Sequence, residues 1–503
     1  MLTISMEFGE TPRIIIIYFK GGIKMKKKLI SALLTATMVL GLTACGGGQA
    51  AAPAAPAAEP AATEAAADTT ETTEAPAADT TEAAAPAAAD GEGKVLNISA
   101  WNEEFKSRLI DHYPGYEEVD GTTGKIGDVT VKWLITPNEE NAYQNRLDEL
   151  LLGQESASAD DKVDLFLVEA DYAVKYTDTD YTLPITDLGV TADDIKDQYK
   201  YTQDVVTDSN GVIKGSSWQG CPGVMIYNRE IAKEVFGSEE PEDIQKEFSD
   251  WNKFFESAKT LQGKGYHVVS SIADTFRVYQ NNAALPWVDG NKIQVDENLI
   301  KWVEDSKKLA DAGCTDTFGQ WTDDWNKGFY PDGKVFAYFG PAWLIDFCMA
   351  ADTEGSIAHD GGWAATEGPQ GFYWGGTWIC AAAGTDNASL VGDIMKKMTC
   401  DPDIMKEIVL KDNDFVNNRP VMEALANDTS YKSEVLGGQN PLKMFCAGAD
   451  KIDMANLTAY DQGLLQDFQT AMGDYIKGNY STIDEAMDQF YTLAVTRYPD
   501  LTY

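Results

Sequence analysis

Over the last four hundred or so positions, apolar residues alternate between a strand period and a helix period. The run Val95-Leu96-Asn97-Ile98-Ser99-Ala100-Trp101, closed by Asn102-Glu103-Glu104, predicts a buried strand ending in a polar loop. Val129 to Ile135 predicts a second strand, with Val129, Val131 and Trp133 on one face. Tyr143, Leu147, Leu150 and Leu151 stand at helical spacing and predict a helix over about 143–152. Val163 to Val168 predicts a third, buried strand, with the polar Glu169-Ala170-Asp171 after its C-terminal end. Farther on, Asp296 caps a helix that carries Leu299, Trp302, Val303 and Leu309 on one face, and Gly313 ends it. Ser481 and Thr482 each precede an acid by three residues, a capping-box pattern, and open a last helix that buries Ile483, Met487, Phe490 and Ala494. The order β-α-β-α predicts an α/β fold with largely parallel sheets. In such sheets ligands gather where strands end and where lobes meet.

The N-terminal pattern differs. Lys26, Lys27 and Lys28 precede an apolar run from Leu29 to Leu42, and Leu42-Thr43-Ala44-Cys45 closes it with small residues. A basic start, a short apolar stretch and a small-residue cleavage point describe a secretory signal over 25–44. The run is shorter than the roughly 20 residues of a membrane span. The cysteine at the cleavage point resembles a bacterial lipobox, which implies that Cys45 is lipidated and tethers the chain to the outer face of the cell membrane. Residues 1–24 fit no part of a signal; Lys20 to Lys24 could be encoded by a ribosome-binding site read in frame. The expectation is translation from Met25 and an upstream segment that is mis-annotated. Residues 45–93 begin at Cys45 and continue almost wholly in Ala, Pro, Thr, Gly, Asp and Glu, with Ala-Asp-Thr-Thr-Glu at 67–71 and again at 78–82. With no aromatic residue to bury, this segment is predicted to be a disordered linker, its ends roughly 40 Å apart as a random coil.

Composition narrows the class. The remaining body, 94–503, is too long for one ordinary core, so two lobes are expected. It holds about 34 basic and 69 acidic residues within a chain of formal net charge −40. That field argues against nucleic acid and against adhesion to anionic lipid through the surface. Cys221, Cys314, Cys348, Cys380, Cys400 and Cys446 are scattered singly and read as mostly buried free thiols. His112, His267 and His359 lie far apart, so no metal site, cofactor or histidine-based catalysis is expected.

Several stretches resemble one family, the extracellular solute-binding proteins of ABC importers, and within it the carbohydrate-binding group that includes maltose-binding protein. Val163 to Leu188 resembles its strand, aromatic-bearing helix and Leu-x-Pro-Ile turn. Gly211 to Gly215 followed by Gly223-Val224-Met225-Ile226-Tyr227-Asn228-Arg229-Glu230 resembles its crossover strand. Asp332 to Trp343 resembles the segment ending in Gly-Pro-aromatic, with Ala342 displacing the aromatic by one. Gly375-Gly376-Thr377-Trp378-Ile379, Asn418-Arg419-Pro420 and Gly478 to Ala486 resemble its return strand, a later turn and its closing helix. The resemblance runs across about 95–503. It implies a two-lobed, hinged binding protein, with lobe one at about 94–216 and 380–432 and lobe two at about 217–379 and 433–503. Crossings would fall near 216–226, 372–380 and 432–450, with a ligand cleft between the lobes. It further implies a monomer that captures a sugar, performs no chemistry and docks on an ABC permease.

Sugars need flat aromatic faces for their C–H patches and polar side chains for their hydroxyls. Twelve tryptophans are available; Trp133, Trp251 and Trp302 sit on apolar faces and read as core, and Trp378 as packed within a strand. The candidates at element ends are Trp101, Asn102 and Glu103 after the first strand, and Glu169 and Asp171 after the third. Trp218 and Gln219 stand at the first crossover, and Trp343 and Trp374 in segments that the family places at the cleft. Tyr460 precedes a helix, and Arg277 and Trp287 flank a loop containing Asn281 and Asn282. Two other readings stay open. One is a binding protein for a non-sugar solute such as a peptide or polyamine; the other is a surface glycosidase, which needs one close pair among these many carboxylates.

Overall fold

The computed structural model describes residues 3–6, 13–16 and 93–503. Cys45, the expected signal at 25–44 and the expected linker up to residue 92 lie outside the described residues. In the N-terminal unit, Thr3–Met6 pairs antiparallel with Arg13–Ile16.

The body carries two main sheets. In the first, the strands run in the order Tyr116–Asp120, Thr123–Ile126, Val129–Ile135, Val95–Ala100, Leu165–Glu169, Thr377–Ala381 and Ser216–Ser217. Val95–Ala100 is parallel to Val129–Ile135 and to Leu165–Glu169, and its residues from Leu96 onward are buried. Every other pairing in this sheet is antiparallel. The second sheet runs His267–Val269, Val335–Gly340, Pro222–Asn228 and Trp363–Thr366, and only the first two of these strands are parallel. The expectation of largely parallel sheets is therefore corrected. The parallel β-α-β order holds for the three strands that sequence periodicity identified. A local meander at 116–135 and the strands that re-enter each sheet after a crossing supply antiparallel neighbours, because a chain returning from the other lobe arrives in the opposite sense.

The capping signals mark real boundaries. Asp296 Oδ1 accepts from Asn298 N at 2.7 Å and starts the helix Glu297–Asp311. Thr482 Oγ1 accepts from Glu485 N at 3.2 Å while Glu485 Oε2 accepts from Thr482 N, a full capping box on the helix Ile483–Arg497. That helix packs against Asp461–Ile476 and, with Trp302, Phe468 and Phe490, builds a core separate from the large one under the two sheets.

The chain passes from one sheet to the other at residues 218–221, between Ser216–Ser217 and Pro222–Asn228. It returns at 374–376, between Phe372–Tyr373 and Thr377–Ala381. The register puts all of Thr377–Ala381 in the first sheet, ahead of the boundary at 379 and 380 expected from sequence. Cys221 (φ +50°), Gly375 (φ +76°) and Gly376 (φ +96°) take left-handed backbone in these crossings. A Cβ at Gly376 would stand 3.1 Å from Cys221 Sγ, so the two crossings touch where only glycine fits. The six body cysteines are free, and no described helix is long and apolar enough to cross a membrane.

Candidate functional site

Where strands of the first sheet end, the chain turns into polar loops, and these loops open on a cleft of about 740 Å³. Trp101 and Asn102 follow Val95–Ala100, Asn138 follows Val129–Ile135, and Glu169 and Asp171 close Leu165–Glu169 and begin the next turn. Gln219 and Gly375 to Thr377 come from the two crossings. The opposite wall is built by Arg277, by Gln320 and Trp321, by Trp343 and Trp374, and by one face of the helix Asp461–Ile476.

The first wall is charged and bonded into the fold. Glu169 Oε2 accepts from Asp171 N at 2.9 Å. Asp171 in turn holds Arg277 in a two-pronged ion pair, Nη1 to Oδ1 at 2.7 Å and Nη2 to Oδ2 at 2.5 Å. Burial, reinforced by the Asp171 charge and only partly offset by Arg277, pushes the Glu169 carboxyl up to about 8. Behind it, Gln219 Nε2 donates to Glu104 Oε1 at 2.8 Å and to Asp414 Oδ2 at 2.9 Å, while Gln219 Oε1 accepts from Thr377 N at 3.1 Å. One amide thus ties both crossings to two buried acids. Burial, with Asp414 close by, raises Glu104 to about 7.

The second wall is aromatic. Trp321 lies 6.3 Å from Trp343 and 5.7 Å from Trp374, ring centre to ring centre, and Trp343 and Trp374 meet edge to face at 5.0 Å. Trp343 Nε1 donates to the Trp374 carbonyl at 3.3 Å, and the Arg277 guanidinium sits 5.9 Å from the Trp374 ring. Trp321 is 51% exposed and in left-handed backbone at φ +69°. A bulky residue held that way and open to solvent is an observed strain at a concave surface. Two buried polar atoms on the cleft, Tyr172 Oη and Asn138 Oδ1, have no hydrogen-bond partner among the described residues.

Of the residues singled out from sequence, Trp101, Asn102, Glu169, Asp171, Gln219, Arg277, Trp343 and Trp374 come together on the cleft. Four do not. Glu103 points to solvent and pairs with Lys106 at 3.2 Å. Trp218 is fully buried and stacks on Phe105 at 5.2 Å, because the inner side of the crossing faces the core and burying so large a side chain is worth roughly 1.5–3 kcal/mol. Trp287 is 5% exposed against Phe468 and Phe490. Tyr460 packs edge-on against Tyr498 at 5.0 Å, off the cleft. Trp133, Trp302 and Trp378 are core as expected; Trp302 also shows an edge to the cleft, and Trp251 is half-buried.

Sequence reasoning missed Trp321, Asn138, Tyr172 and the stripe Gln462, Gln466, Gln469, Thr470 and Gly473. The stripe was readable as polar residues at helical spacing opposite Leu464 and Phe468. Asn138 follows a strand end, as Trp101 and Asp171 do. Among the described residues no group of three His, Cys, Asp or Glu is placed to hold a metal ion.

Two sheets exchanging chain segments across a hinge, with an aromatic cleft at the exchange, define the two-lobed class of binding proteins. The model of the bacterial extracellular solute-binding proteins matches residues 120–436, and the chain belongs to that family. No curated protein matches the sequence. Solved structures agree on the fold. The ABC transporter associated binding protein of B. animalis subsp. lactis, solved with β-1,6-galactobiose, is 19% identical with a TM-score of 0.59, covering 82% of this chain and 99% of its own. The GacH receptor of Streptomyces glaucescens, solved unliganded and with acarbose, is 16% identical with a TM-score of 0.60, covering 82% and 100%. The galacto-N-biose/lacto-N-biose I-binding protein of Bifidobacterium longum, solved with lacto-N-biose, is 14% identical with a TM-score of 0.60, covering 82% and 100%.

Proposed function

We propose that this protein captures a carbohydrate, an oligosaccharide in size, between its two lobes and delivers it to the membrane subunits of an ABC permease. The observation that carries this reading is the cluster of Trp321, Trp343 and Trp374 facing Glu169, Asp171 and Gln219 across one cleft. Tryptophan faces accept the C–H patches of sugar rings, and the carboxylates and amides opposite accept or donate to hydroxyls. The sugars held by structural neighbours of the same fold point the same way. The cleft volume suits a ligand of a few sugar rings. On this reading the protein is a monomer, performs no chemistry, and is held to the outer face of the membrane by a lipid on Cys45, with 45–93 as spacer.

The test is a thermal-shift screen of residues 94–503 against mono- and oligosaccharides, with peptides and polyamines beside them. A ligand at a hundred times its Kd adds about 2.7 kcal/mol to the folded state, which raises Tm by a few degrees. A shift from one sugar series supports the reading. Silence for all sugars with a shift from a polyamine transfers the cleft to a cationic ligand, and hydrolysis products after long incubation would make it an enzyme.

A further inference from the structure

Five charged residues line the cleft: Glu104, Glu169, Asp171, Arg277 and Lys477. Their arrangement is uneven. Arg277 has both terminal nitrogens on Asp171, at 2.7 and 2.5 Å, and a third contact from Nη1 to Gln280 Oε1 at 3.1 Å. It is fixed by its own carboxylate before any ligand arrives. Lys477 lies exposed, one residue past the helix Asp461–Ile476. Glu169 stands beside the pair without a cation of its own, and Glu104 is held by Gln219, with Arg108 at 3.9 Å.

Taking the carbohydrate reading of this cleft as given, we propose that the site selects its sugar by charge: it accepts neutral and amino sugars and rejects those bearing a carboxylate, such as uronic acids. An incoming carboxylate finds the arginine fork already occupied by Asp171, and removing it from water without a partner is costly. A hydroxyl or ammonium group meets acceptors at Glu169 and Asp171. Burial that keeps the Glu169 carboxyl protonated into the neutral range lets it donate to a neutral sugar or ionise against an amine.

The experiment compares matched probes on residues 94–503 by calorimetry: xylo-oligosaccharides against their glucuronic-acid-substituted forms, galacto-oligosaccharides against oligogalacturonates, and deacetylated chito-oligosaccharides. The expected result is binding within the neutral or amino series, with each acidic counterpart weaker by about tenfold or more. Asp171→Asn, which releases Arg277, should narrow that ratio, and the ratio is read rather than either affinity alone because the variant also removes an ion pair across the cleft. Acidic sugars binding as tightly as neutral ones, or a ratio unmoved by Asp171→Asn, overturns charge selection and leaves the carbohydrate reading intact. Silence across all three series removes the carbohydrate reading itself, and charge selection with it.

Discussion

The two walls of the cleft are made on different terms. On the first-sheet wall the central polar groups already have work within the fold: Gln219 bonds Glu104, Asp414 and the Thr377 amide, and Asp171 holds Arg277. On the opposite wall Trp321 is half exposed, and the glutamine stripe of Asp461–Ile476 is only partly covered. The first wall is therefore part of the hinge as well as of the site, while the second is largely surface held ready. Substitutions on the first should register in stability, and on the second in affinity.

The largest effect that tests this contrast is expected from Gln219→Ala. It strips a donor from two buried acids and an acceptor from Thr377 N, and should cost about 3 kcal/mol of stability in chemical denaturation. A loss under 1 kcal/mol, on the order of a surface change, would show that the first wall is not structural. Trp321→Ala comes next, with the opposite signature. Affinity for the identified ligand should fall by about 2 kcal/mol, roughly thirtyfold in Kd, with Tm nearly unchanged. A drop in Tm without a change in Kd would reverse the assignment of the walls.

A third outcome concerns pH. Glu104 and Glu169 are pushed up, to about 7 and about 8, chiefly by burial. The folded chain then keeps protons that the unfolded chain has already released. Their contribution to stability is fully present below about pH 4.5, declines as pH rises through the folded values near 7 and 8, and is flat above. Tm of the ligand-free body, followed from pH 5 to pH 9, should fall across that window. Glu169→Gln should flatten its upper part, and Trp321→Ala should leave the slope alone. The smallest effect is expected from Gln469→Ala on the second wall: loss of about 1 kcal/mol in binding and none in stability.

Much of the fold was legible because it is local. Periodicity located Val95–Ala100, Val129–Ile135 and Leu165–Glu169, and capping chemistry placed the starts of Glu297–Asp311 and Ile483–Arg497. These depend on neighbours two to four residues away. The same logic, applied to residues at strand ends, singled out Trp101, Asn102, Glu169 and Asp171, which line the cleft. It failed at Trp218, one residue before Gln219, because the side on which a crossing presents each residue is fixed by the core it spans. Trp321 gave little signal, since its meaning lies in Trp343 and Trp374, which stand 22 and 53 residues farther along the chain.

The sequence by itself determined the local elements, the acidic field and the supply of tryptophans. Only tertiary structure decided which tryptophans are core and which are cleft, that Arg277 is already neutralised by Asp171, and that Gln219 ties the two crossings together. The physical reason is distance along the chain: Asp171 and Arg277 are 106 residues apart, and Gln219 and Thr377 are 158 apart. No local pattern records a pairing that exists only after two lobes have packed around one hinge.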